Sequence, residues 1–170
     1  THTAFLGKPT REVDLAALDR TVTRALIKEM RETMRAASGA GLSANQIGLD
    51  MRLFVAEVPD AKRGGTKFYA VFNPTLSNIS AQTELLEEGC LSVPGKFGMT
   101  PRAHRVTLTG FDVNGKRIKI KAYGFLAQVF QHEVDHLSGA LFTSKTTKLY
   151  DAAESERLKK REERLRKPQS

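Results

Sequence analysis

A chain of 170 residues with 40% apolar content can bury roughly 70% of its unfolded surface in one domain, so bulk stability needs neither disulfides nor a structural metal. Its one cysteine, Cys90, rules out an internal disulfide, and no apolar run reaches the roughly 20 residues of a membrane span. The net charge of +8 and a pI near 9.8 suit an anionic partner such as nucleic acid, ribosome or membrane surface, and suit simple solubility equally well.

The N-terminal stretch has no apolar signal core and carries early acidic residues, so the expected compartment is cytoplasmic, or an organelle interior after processing. Over residues 12–37, Leu15, Leu18, Val22, Leu26, Met30 and Met34 recur at three- and four-residue spacing. That spacing predicts one long helix, ended by Gly39 and Gly41. "MRLFVAEV" (51–58) reads as a strand, "KRGGTK" (62–67) as a loop tip, and "KFYAVFNP" (67–74) as a second strand stopped by Asn73-Pro74. Residues 75–86 carry a weaker strand pattern. Val106, Leu108, Ile118 and Ile120 alternate on either side of Asn114-Gly115, a favoured two-residue hairpin turn. Gly124 precedes a short helix with Phe125, Leu126, Val129 and Phe130 available for burial, and 146–167 reads as a charged helix. With no repeat or linker, the expectation is one α+β domain over 1–145, extended by a basic helix over 146–170.

The chemistry lies in "QHEVDHLSG" (131–139). His132 and His136 are four residues apart, which places both imidazoles on one helix face. Two imidazoles can hold a transition metal, and a catalytic site of this kind usually has a third protein ligand. A third histidine six residues on is absent, because that position is Phe142. His2 lies near the N-terminus and His104 next to a strand. Cys90, in "EEGCLSVPG" (87–95), is the remaining candidate: its thiolate suits zinc or ferrous iron, and Gly89 lets the backbone approach closely. The plain alternatives are a structural histidine pair and a buried core thiol.

"GAGLSANQIG" (39–48), "EEGCLSVPG" and "QHEVDHLSG" closely resemble the three ordered motifs of peptide deformylases, roughly GxGLAAxQ(V/I)G, EGCLS and HExDHLxG. The resemblance runs from the first helix through the HExxH helix. It implies mostly antiparallel sheets packed around that helix, and a metal-dependent amide hydrolase that releases formate from N-formyl-methionyl peptides of nascent chains. The implied cofactor is one divalent ion, ferrous iron first and zinc, nickel or cobalt as alternatives, held by Cys90, His132 and His136 with a fourth position for water. Glu133 would take the water proton and return it to the leaving amine. The Gln46 amide and the Leu91 backbone N–H would receive the oxyanion. Glu88 and Arg102 would pair to steady the Cys90 loop, while Asp135 either holds a neighbour or is a plain surface carboxylate.

By position, the methionine pocket would use Ala40, Phe125, Gln128, Val129 and His132, with Gly41 and Gly48 letting the first motif fold tightly against it. Ser43, Asn45, Phe97 and Gln128 depart from residues common in the family and put substrate preference in question. Basic residues outnumber acidic ones nine to five over 145–170. Basic C-terminal helices of some relatives dock on the ribosome, so the resemblance offers a salt-sensitive rRNA contact; a solvated helix with paired charges is the alternative. No membrane contact is expected, and the chain reads as a monomer. Two rivals stand beside this: an HExxH peptidase of another type, which would cut internal bonds without releasing formate, and a non-catalytic ribosome-binding module with a closed, structural metal site.

Overall fold

Asp19 decides where the first helix begins. In the computed structural model, which describes residues 5–60 and 63–166, its carboxylate accepts hydrogen bonds from the N–H groups of Thr21 and Val22, and α1 spans Arg20–Ala36. The sequence placed this start earlier, at residue 12. The preceding chain cannot be helical because its backbone is already bonded elsewhere. Val13 donates to Asn73 Oδ1 at 2.8 Å and accepts from Asn73 Nδ2 at 2.9 Å. Arg11 donates its N–H to Asp50. Leu15 and Leu18 still reach the core, from irregular chain. The shifted start also turns Val22 outward, 67% exposed, and gives its inward place to Thr23. Residues 1–4, 61–62 and 167–170, including His2 and the end of the basic tail, lie outside the described residues.

Eight strands follow among the described residues: β1 (Gly41–Ser43), β2 (Leu53–Pro59), β3 (Thr66–Ser77), β4 (Thr83–Cys90), β5 (Val93–Ala103), β6 (Arg105–Phe111), β7 (Arg117–Tyr123) and β8 (Leu149–Asp151). Helix α2 (Gly124–Leu137) lies between β7 and β8, and α3 (Ala152–Arg166) follows β8. All pairings are antiparallel. One sheet has the order β1-β2-β3-β6-β7, the other β4-β5-β8.

Three expectations need correction. The weak strand at 75–86 is two strands: β3 runs past Asn73-Pro74, absorbing the proline in a register shift between Phe72 and Thr75, and β4 starts afresh at Thr83. The hairpin turn is one residue longer than predicted. Asp112 donates to Lys116, Gly115 donates back to Asp112, and Gly115 takes φ 76°, which is a three-residue loop ending in a left-handed residue. The tail is not helical from 146. Residues 149–151 first pair with β5, and Asp151 then caps α3 by accepting from the Glu154 N–H at 2.8 Å.

β2 is covered on both faces, which explains its unbroken apolar run. Leu53 and Val55 meet Ile27, Met30 and Met34 of α1. Phe54, Ala56 and Val58 face a second cluster with Val71, Val106, Leu108 and the α2 residues Ala127, Phe130 and Leu137. α2 is therefore held against the larger sheet by its apolar side. The one acidic residue on the α1 side of β2, Glu57, is clamped by Arg31 at 2.6 Å and Arg35 at 2.6 Å. Hydrogen bonds from Arg35 and Arg31 hold its carboxyl far below the ordinary 4.5, against the opposing effect of burial.

A depressed carboxyl pKa contributes stability that is complete above the unfolded value and fades as pH falls toward the folded one. The urea-midpoint advantage of wild type over Glu57→Gln should therefore be largest near about pH 6 and shrink steadily toward about pH 3. A difference that does not change with pH would remove the ion pairs from the account of how α1 is held.

Candidate metal centre

The last two turns of α2 carry the histidines, and each of the helix's final backbone carbonyls has a partner. The helix ends in a Schellman turn: Gly139 N–H donates to His136 and Ala140 N–H to Asp135. Gly139 has φ 78°, and a Cβ there would meet the Lys8 backbone at 2.8 Å, so both conformation and space require glycine. Asn45 Nδ2 donates to the His136 carbonyl at 2.6 Å. Thr10 donates both its N–H and its hydroxyl to the Leu137 carbonyl, at 2.9 and 3.0 Å, and Arg52 adds a bond at 3.2 Å.

Into this fixed turn the strand β4 delivers Cys90. Cys90 Sγ lies 3.1 Å from His136 Nε2, and His136 Nε2 lies 3.1 Å from His132 Nε2. Two nitrogens each about 2.05 Å from a tetrahedral centre are about 3.3 Å apart, so this spacing is that of ligands around one ion. The three donor atoms lie within 4.8 Å of one another, and no fourth His, Cys, Asp or Glu joins them among the described residues. The buried His136 Nδ1 has no partner, while His132 Nδ1 meets Glu88 at 3.1 Å. The donor set fits a divalent transition metal. Among the described residues it offers three ligands, not the four of the structural-metal rival.

The local charges point the same way. Burial opposes a charged His132, but hydrogen bonds with Cys90 and Glu88 and the charges of Glu133 and Glu88 push it up to about 10. Burial and the neighbouring His132 charge push His136 down to about 3. Behind them, burial of Glu88 is outweighed by Arg102 and His132, which hold its carboxyl at about 2. Arg102 binds Glu88 in a two-pronged pair, 2.7 Å at each prong, and reaches Asp135 with its third nitrogen. Asp135 is thus a partner of Arg102 and of Lys145, not a bare surface carboxylate.

Glu133 is 3% exposed and faces the cleft. Its carboxylate accepts from Ser43 Oγ at 2.6 Å, and burial raises its pKa against the counteracting His132 charge and Ser43 bond. Gly41 is needed for this placement, because a Cβ there would overlap the Glu133 carboxylate. Gln46 Oε1 accepts from the Ser43 N–H at 2.8 Å, which turns Nε2 toward Ser92 Oγ at 3.1 Å and Cys90 Sγ at 3.6 Å. The cleft is about 450 Å³, and Ala40, Gly41, Phe125, Gln128 and Val129 all line it, with Leu91 and Phe97 on the wall formed by β4 and β5. Sequence reasoning had no role for Ser92 or Glu87. It named Ser43 and Asn45 only as departures; their part in fixing Glu133 and His136 appears only once the chain is folded. Ser92 stands inside the quoted second motif, which was the available signal.

A thiolate and two imidazoles converging beside a buried carboxylate, at the floor of a cleft, define a metal-dependent hydrolase. The family model described as polypeptide deformylase matches residues 1–152, and the chain belongs to the peptide deformylase family. It is 42% identical over 127 residues to the peptide deformylase of Halothermothrix orenii, covering 75% of this chain and 79% of that protein. The crystal structure of the Thermus thermophilus enzyme superimposes with a TM-score of 0.73 at 38% identity, over 83% of this chain and 79% of that one. The Met-Ala-Ser-bound enzyme of Acinetobacter baumannii gives 0.75 at 30% identity, over 83% and 91%.

Arg102→Leu would leave the buried Glu88 with only His132 beside it and Asp135 with only Lys145. Breaking such a pair costs about 3–5 kcal/mol, and losing the group that orients a ligand lowers metal affinity about 10–100-fold. Urea unfolding and a chelator-competition assay would read both effects. Arg102→Lys, which restores charge without the fork, should recover only part of each.

Proposed function

We propose that the chain removes the formyl group from N-formyl-methionyl peptides, with Glu133 moving the proton and Gln46 and the Leu91 N–H receiving the oxyanion. The observation that carries this is the placement of Glu133: buried, held by Ser43, and next to the Cys90–His132–His136 cluster at one cleft floor. A divalent ion held there supplies Lewis acidity and acidifies water near neutral pH; ferrous iron is the proposed ion, and zinc, nickel or cobalt suit the same donors. Glu133 accepts a proton from the attacking water and delivers it to the amine as the C–N bond breaks. Burial raises its pKa, which favours holding that proton between the two transfers. The Gln46 amide is fixed before substrate arrives, so it needs no reorientation to donate; one such donor contributes about 2.7–4 kcal/mol to the transition state.

The peptide side chain after the formyl group takes the space beside Ala40, Phe125, Gln128 and Val129. Residues 1–145 form the catalytic part, and 146–170 extend the same domain through β8 and α3 (Ala152–Arg166). The extension is proposed to add a salt-sensitive ribosome contact. The reading places the enzyme, as a monomer, in a bacterial-type cytoplasm.

Formate release from formyl-Met-Ala-Ser, measured beside metal content, tests the roles. Glu133→Gln should keep its metal and lose about 10²–10⁴-fold in kcat. Full turnover with metal retained would end the proton-carrier assignment, and cleavage of internal bonds without formate would select the rival peptidase.

Gln128 donates through Nε2 to the Glu87 carbonyl at 2.9 Å, so a polar amide is fixed in the pocket wall. Gln128→Leu should sharpen the preference for formyl-Met over formyl-Gln peptides about tenfold in kcat/KM, or about 1.4 kcal/mol. An unchanged ratio would place the side-chain subsite elsewhere.

A further inference from the structure

The net charge of +8 is not spread evenly. Along β7, Arg117, Lys119 and Lys121 alternate with Ile118 and Ile120, which turn inward to the α2 side of the sheet. The three cations therefore share the outward face, about 6.6–6.8 Å apart along the strand. They are exposed. Facing them across the ladder on β6 are Phe111, Thr109 and Thr107, and beyond those on β3 stand Thr75 and Ser77. The row thus continues into neutral hydroxyls and contains no carboxylate. Arg105 and exposed Tyr123 pair at the far end. At the near end Lys116 follows the loop, and Arg24 of α1 leans in to donate to Asn114 at 3.1 Å. Asp112, the acidic residue of that loop, has Oδ1 taken by the N–H groups of Asn114 and Lys116.

None of Arg24, Arg105, Lys116, Arg117, Lys119 or Lys121 stands in an ion pair among the described residues. In the C-terminal region, by contrast, three lysines are paired: Lys148 with Glu154, Lys159 with Glu87 and Lys160 with Glu156, at 2.7, 2.7 and 2.6 Å. Among the described residues, the β7 face is thus a row of adjacent cations without a carboxylate partner.

We propose that the outward face of β6 and β7, with Arg24, binds the phosphate backbone of RNA. A regular row of unpaired cations tracks a backbone of regularly spaced phosphates and releases its counterions. Tyr123 at the end of the row gives a ring on which a base can stack. A bilayer is the poorer match, since surface binding there needs bulky apolar groups to enter the headgroup boundary, and this face offers Tyr123 and a Phe111 already packed against the α1 cluster. The face is formed by outward side chains of the sheet whose other side packs on α2, so occupancy leaves the cleft open.

Fluorescence anisotropy with a labelled single-stranded RNA, titrated between about 50 and 200 mM salt, tests this in the full chain. The variant Arg117→Gln/Lys119→Gln/Lys121→Gln keeps an unbranched polar side chain at each position and removes the charge. It should bind more than tenfold more weakly, and its log–log salt slope should drop by about two, from about 0.7 for each of three phosphates. Arg24→Gln/Lys116→Gln, on a different element and loop, should lose about threefold and keeps the test intact if the strand variant aggregates. Arg157→Gln/Arg161→Gln in the tail should lose much less affinity for this RNA than the β7 variant does. All variants should release formate from formyl-Met-Ala-Ser at the wild-type rate. The proposal is overturned if the β7 variant binds RNA as wild type does, or if only the tail variant loses affinity. It is equally overturned if the wild-type chain binds phosphatidylserine vesicles and not RNA.

Discussion

The site depends on how a helix end is finished away from water. The final carbonyls of α2 have no partner within the helix, and leaving them bare in the interior would cost several kcal/mol in total. Here Thr10, Asn45, Arg52 and the turn at Gly139 supply the missing donors. Because those donors come from three separate parts of the chain, the turn has one position. His136 lies within that turn and His132 one turn earlier, so the imidazole spacing follows from satisfied backbone groups before any metal is considered.

The charges behind the ligands follow a similar logic. Glu88 would be costly to bury alone, and Arg102 would be costly to bury with only one carboxylate beside it and Asp135 unpaired. Placed together, with Lys145 at the solvent end of Asp135, they form a chain of alternating sign that ends on His132 Nδ1. That chain fixes the ring and leaves Nε2 facing Cys90 and His136. Glu133, one residue along, is treated differently: it meets a hydroxyl and no cation side chain from outside α2, and so its proton affinity is raised where that of Glu88 is lowered.

The chemistry was more legible in the sequence than the architecture around it. Cys90, His132, Glu133 and His136 are few, chemically distinctive and spaced as ligands are, and the structure brings them together. The pairing of Glu88 with Arg102 was also expected, through the family resemblance. The start of α1 was not readable, because Asn73, sixty residues away, takes the backbone of Val13. β5 was missed because Pro94, Gly95, Gly98 and Pro101 break any alternation, although its neighbours β4 and β8 supply the ladder. Ser43, Asn45 and Ser92 are small polar residues whose type says nothing of their partners. Their tasks exist only after residues 90 and 133–136 arrive next to them.

The bond from Thr10 to Leu137 joins positions 127 residues apart. Closing so long a loop is entropically slow and comes after local pairing. During synthesis, the hairpins of the larger sheet can form as they leave the ribosome, and Val13 can meet Asn73, but Thr10 has no Leu137 carbonyl to bond until α2 has emerged. The assembled centre is therefore among the last parts of the molecule to exist, and an unfinished chain has all of its first two motifs and no working enzyme.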